Sequence, residues 1–198
     1  MSDMSQNNQT RDKYHHGNLP DALIHEGAGL LADVGIEGFS LRKLAARAGV
    51  TVAAPAHHFG NTKGLLTAIA TRAFMRLAAQ MQDAALSAPS RHDAVVAMCL
   101  AYFKMRTTDP GYAAVMFRLD LIHASDEHFR QSAFQAFGLL EKSLAEAVPN
   151  ATGTAEISTA AKALWATTQG LTTLPMIEHR ETEQLLRHTI SAHVDALR

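Results

Sequence analysis

Residues 40–60 read SLRKLAARAGVTVAAPAHHFG. Ser40 can cap a helix, and Leu41, Leu44, Ala45 and Ala48 then recur on one helical face. Gly49 ends that helix, because the chain must leave it in a left-handed conformation that costs any residue with a Cβ more. Val50 follows as an apolar plug, and Thr51 can cap a second short helix. Pro55 falls near the end of that helix's first turn, where a missing N–H does least harm, and small Ala45 lets the two helices cross closely. Two short helices across a tight turn form a helix-turn-helix, a motif that sets its second helix in the major groove of DNA. An ordinary helical hairpin in an all-α core fits the same pattern.

The flanking sequence separates the two readings. Upstream, Leu19, Leu23, Ile24, Gly27, Leu30, Leu31 and Val34 make an apolar stripe at helical spacing that stops at Gly35. Downstream, Asn61 or Thr62 can cap a long helix with Leu66, Ile69, Ala73, Leu77 and Met81 on one face. Three helices and a connecting fourth make a compact head. In this order, from about Lys13 to Phe74, they resemble the DNA-binding domain of the TetR family of bacterial transcriptional repressors. The motifs carrying the likeness are GFSLRKLAARAGV, His58-Phe59 closing the short helix, and Leu65-Leu66 opening the long one. KYHHGNL at Lys13 to Leu19, Pro110-Gly111, and Trp165 to Gly170 are similar to the branch with a Trp-His-Gly signature in its C-terminal domain; the histidine position of that signature is Gln169 here.

The resemblance implies an all-α chain in three parts: a disordered tail (1–12), a three-helix helix-turn-helix DNA-binding domain (13–62), and a helical effector-binding and dimerisation domain (63–198). It also implies contacts. Arg42 can donate two hydrogen bonds to guanine, and Ser40 and Thr51 can offer a hydroxyl and a helix-terminal N–H to phosphate. Val52 and Ala53 open the recognition helix, and small apolar side chains there suit thymine methyl groups. His57 can reach DNA, whereas His58 and Phe59 also lock the head together. Ala56 stands where the family usually has a tyrosine. Thr62 stands where it usually has a lysine, so the phosphate contact passes to Thr62 with Lys63 reaching round. Lys13, Tyr14, His15 and His16 form a basic, aromatic arm that can follow the backbone or enter the minor groove.

Charge distribution agrees with this division. The net charge is only −1, but Lys and Arg number 8 against 5 Asp and Glu from Arg11 to Arg76, and 10 against 13 from Leu77 onward. A single cysteine, Cys99, excludes an intrachain disulfide and reads as a small buried hydrophobe in a reducing compartment. The longest apolar run, 94–103, is too short to span a bilayer, so the expectation is a soluble cytoplasmic protein with no membrane partner. No His-Glu-x-x-His, Gly-x-Ser-x-Gly, phosphate loop or paired cysteines is present, and adjacent His57 and His58 point about 100° apart on a helix. Neither an enzyme, a cofactor nor a metal site is expected.

Beyond the head the pattern stays helical: about 91–106, a segment from Asp109-Pro110-Gly111 to Leu121, a helix from Ser125 to Ala147, one from 154 to about 174 before Pro175, and a last from Glu183 to Leu197. Met98, Tyr102, Met105, Met116, Phe117, Phe134, Phe137 and Trp165 concentrate large, soft side chains in this body, the material of a pocket for a small apolar effector. By the resemblance, the last two helices pair with those of a second copy, with Ala160, Ala161, Ala163, Ala166 and Gly170 permitting close approach. The function implied is a dimeric repressor on a palindromic double-stranded operator, released by the effector. A helical sensor or interaction module without sequence-specific DNA binding is the alternative.

Overall fold

The computed structural model describes residues 18–149, 153–174 and 178–197, and among these all regular structure is helical. Helix α1 (Leu19–Gly38) opens on Asn18, whose side-chain oxygen accepts the Asp21 amide. Helical geometry breaks at Gly35 (φ 68°, ψ −177°), where the apolar stripe ends. Leu23, Ile24, Gly27, Leu30 and Leu31 are buried, but Val34, expected on the same face, is 40% exposed. Residues 32–34 are all exposed, so this end of α1 overhangs the core.

Helix α2 (Leu41–Ala48) buries Leu44, Ala45 and Ala48, and its cap is Ser40, whose Oγ accepts the Lys43 amide at 3.3 Å. Gly49 adopts φ 68°, ψ 30°, and the Val50 amide reaches back to the Ala45 carbonyl. Helix α3 (Ala53–Phe59) departs from the expected cap: Val52 holds the cap position, and no side chain caps the helix. Thr51 instead accepts the Ala54 amide with its backbone carbonyl at 3.0 Å, so a tight backbone turn takes the place of the hydroxyl. Pro55 is buried as the third residue of α3.

Helix α4 (Thr62–Leu86) begins on Asn61, which accepts the Gly64 amide, and all five expected face residues are buried. It packs against α1 and α3 at one end and continues into the body. The body adds α5 (Arg91–Thr108), the short α6 (Pro110–Ala113), α7 (Glu127–Ala147), α8 (Thr154–Thr173) and α9 (His179–Asp195). Two starts differ from expectation. Helix α7 opens on Asp126 rather than Ser125, because the longer-reaching carboxylate accepts the Phe129 amide at 2.9 Å. Helix α9 begins four residues before Glu183, where the Glu178 carbonyl accepts both the Thr182 amide and its hydroxyl. Helices α5 and α7 flank α4, α8 lies on α5 and α7, and α9 closes over α5 and α8. One core runs unbroken from Leu23 to Val194, and α4 belongs to both halves of it. Among the described residues no helix is long and apolar enough to cross a membrane. The expected arm at Lys13, Tyr14, His15 and His16, and Pro175, lie outside the described residues.

Candidate nucleic-acid interface and effector cavity

The cations of α2 divide into two kinds. Arg47 pairs with Glu26 at 2.9 Å and Asp33 at 2.5 Å, both on α1, and the two carboxylates raise the pKa of its guanidinium. Lys43 donates to the Gly38 carbonyl at 2.8 Å. These bonds pin α2 against α1. Arg42 is exposed and, among the described residues, has no ion-pair partner. Thr51, Ala53, His57, Thr62 and Lys63 are also exposed, and Val52 is 60% exposed, an unusual surface site for valine. Ser40 is half-buried with its hydroxyl engaged in capping, and Ala56 is half-buried.

The two histidines differ. The His57 ring meets that of His58 edge-on at 5.3 Å and is otherwise open. His58 borders a cleft of about 470 Å³ between α3, α4 and the start of α7, shared with Phe59, Arg72, His123 and His128. It therefore faces the body as well as solvent. Lys63 lies near the turn holding Asp120, whose carboxyl is kept below its usual range first by hydrogen bonds from Arg118 (3.0 and 2.9 Å) and more weakly by the Lys63 charge.

In the body, the eight residues expected to share one pocket separate. Met98, Met105 and Met116 are almost wholly buried, and Met98 borders a different cleft, between α4, α5 and α7. Phe117, Phe134, Phe137 and Trp165, with Phe74 and Lys162, line an apolar groove of about 360 Å³ between α4, α7, α8 and the turn after α6. Tyr102 lies beneath, its ring 5.1 Å from Trp165 and 6.0 Å from Phe117. Its hydroxyl donates to Gln169 Oε1, and burial pushes the phenol above its ordinary range. Phe134 is 64% exposed and Phe117 39%, so the groove has an apolar, uncovered mouth.

Sequence spacing did not single out the junction between the two regions. A Cβ on Gly111 would collide with the Ala28 carbonyl oxygen, so α6 seats directly on the backbone of α1. Asp109, just before α6, accepts hydrogen bonds from Arg76 (2.5 Å) and Gln80 (2.9 Å) of α4, and the Arg76 guanidinium sits 4.9 Å over the Tyr112 ring. In the sequence, Asp109-Pro110-Gly111 reads only as the start of a segment and as a mark of likeness to one branch, with nothing to tie it to Arg76 and Gln80. The clasp places the groove residue Phe117 six positions from a body-to-head contact.

Residues 23–69, from α1 into α4, match the family model for bacterial regulatory proteins of the tetR family. No curated protein matches the chain. Among solved structures, a protein with unknown function from a Rhodococcus species is 27% identical, with a TM-score of 0.76 over 91% of this chain and 97% of its own. The TetR family transcriptional regulator PfmR from Thermus thermophilus is 20% identical, with a TM-score of 0.64 over 89% of this chain and 98% of its own. A TetR-family transcriptional regulator from Streptomyces coelicolor is 19% identical, with a TM-score of 0.67 over 90% of this chain and 99% of its own. The head is thus matched by the tetR family model, and the fold is shared along nine-tenths of the chain with solved TetR-family transcriptional regulators.

Proposed function

We propose that the protein is a ligand-responsive repressor that binds a palindromic operator as a dimer and is released by a small effector. The observation that carries the DNA contact is the division of cations on α2: Lys43 and Arg47 are tied inward, while Arg42 stands free beside the open face of Thr51, Val52, Ala53 and His57. In this reading Arg42 reads a base, Val52 and Ala53 meet thymine methyls, and Ser40, Thr51, Thr62 and Lys63 hold phosphates. His57 faces the groove, His58 supports it, and the arm from Lys13 to His16 extends the grip.

Exposed Thr159 and Gly170 on α8 and Leu185, His188 and Ala192 on α9 make the dimer face. The aromatic groove receives the effector. Through the Asp109 clasp and the Gly111 seat, occupancy there moves α4 and α1 together, and the two recognition helices lose the spacing of roughly 34–36 Å that successive half-sites demand.

The test is fluorescence anisotropy of the protein on the DNA flanking its own gene, at two salt concentrations. Selective binding that weakens steeply with salt is expected. No binding at either concentration would leave a helical sensor or interaction module in its place.

A further inference from the structure

Resting on the effector-groove reading above, we infer that the groove takes a small apolar anion: an aromatic or alkyl body among the rings, with a carboxylate or similar acid at the mouth. Three observations converge. The interior is aromatic and almost wholly apolar, supplied by Phe74, Phe117, Phe137 and Trp165, and a volume of about 360 Å³ accommodates a molecule of about a dozen heavy atoms. The mouth is cationic. Lys162 of α8 is exposed and lines the groove, and Arg130 of α7 lies 5.9 Å over the ring of Phe134, a lining residue that is 64% exposed. Among the described residues no acidic side chain lines the groove, and neither Lys162 nor Arg130 has an ion-pair partner.

The two cations come from different helices, and both stand at the edge of an apolar surface. A neutral ligand would use the rings and leave both charges idle. A cationic one would be repelled by both. An anion uses rings and charges together, and it enters body first, because apart from the Trp165 indole N–H the groove is apolar and the Tyr102–Gln169 pair is already bonded to itself.

Trp165 is the chain's single tryptophan, so its fluorescence reads this groove directly. Three probes of one shape separate body from charge: 4-phenylbutyrate, 4-phenylbutan-1-ol and 4-phenylbutylamine, each titrated into the full-length protein. The anion is expected to bind about three- to tenfold more tightly than the alcohol and the amine least tightly, the preference shrinking as salt rises. In the Lys162→Gln, Arg130→Gln double variant the alcohol should bind as before, with the preference for the anion gone; both positions are exposed, and an unchanged melting temperature verifies the fold. Equal binding of anion and alcohol, or a preference that survives in the double variant, would overturn the anion assignment and leave the groove. A Trp165 signal unmoved by all three probes would overturn the groove reading as well, the outcome expected if a second copy of the chain covers it.

Discussion

Arg42 and Arg47 stand five positions apart on α2 and face different demands. Arg47 joins two partly exposed ion pairs, which at such exposure stabilise by about 1 kcal/mol or less in total. Arg47→Ala should therefore lower the melting temperature by only about 2–4 °C. Arg42→Ala should leave melting unchanged yet weaken selective DNA binding by about 1–3 kcal/mol, if it makes a paired contact with guanine. Melting curves and binding isotherms on the same two variants decide between the roles. Cys99 is predictable in a different way, since burial pushes its thiol up to about 11. A raised folded-state pKa favours the folded state below the ordinary thiol value and loses that contribution as pH climbs through 11. At pH 8 the thiol is protonated and shielded, so a disulfide reagent should label no cysteine in the native protein and one per chain in denaturant. Ser40 and Gly49 were legible from sequence because their reasons are local: a hydroxyl within reach of an amide three residues on, and a positive φ. Thr51 was misread because the backbone closed that turn before its hydroxyl was needed, and Lys162 and Arg130 were silent because their meaning depends on α7 lying beside α8.

At the scale of elements, the four-residue α6 has consequences beyond its length. It is too short to hold itself by helical hydrogen bonds, and its position comes from Asp109 gripped by α4 and Gly111 seated on α1. Gly111→Ala drives a Cβ into the α1 backbone, which cannot yield as a flexible side chain would, so α6 must lift. The expected cost is about 1–3 kcal/mol, read as a lower denaturation midpoint, with the effector's influence on DNA binding reduced alongside it. The same substitution at Gly138, where nothing among the described residues lies within 4 Å, should be neutral or mildly stabilising and serves as control. The long amphipathic α4 was plain in the sequence because 25 residues repeat one period. The clasp was not, since no period connects Asp109 to Arg76. The pocket was half legible: apolar side chains announce burial, but whether Met98 fills a core or Phe134 lines a mouth depends on which neighbouring helix covers it.

For the whole molecule, the proposed regulation needs two copies whose heads move as a pair. To pass from mostly bound to mostly released, the effector must favour the released conformation by about 5 kcal/mol. A groove of this size can contribute that only if the body transmits the motion without absorbing it, which the unbroken core from Leu23 to Val194 permits. The second copy itself is testable at Gly170. It lies exposed on α8, and among the described residues a Cβ added there meets nothing within 4 Å, so no described contact within the protomer accounts for a glycine. In the proposed dimer, close approach of a partner helix accounts for it. Gly170→Glu should therefore fold and melt as a monomer would, while sedimentation shows the mass falling from two chains to one and affinity for a two-half-site operator collapses. Binding to an isolated half-site should stay as weak as it is for the parent protein. If the variant still sediments as the parent does, Gly170 is not at the dimer face, and the pairing of α8 and α9 across the twofold axis must be abandoned.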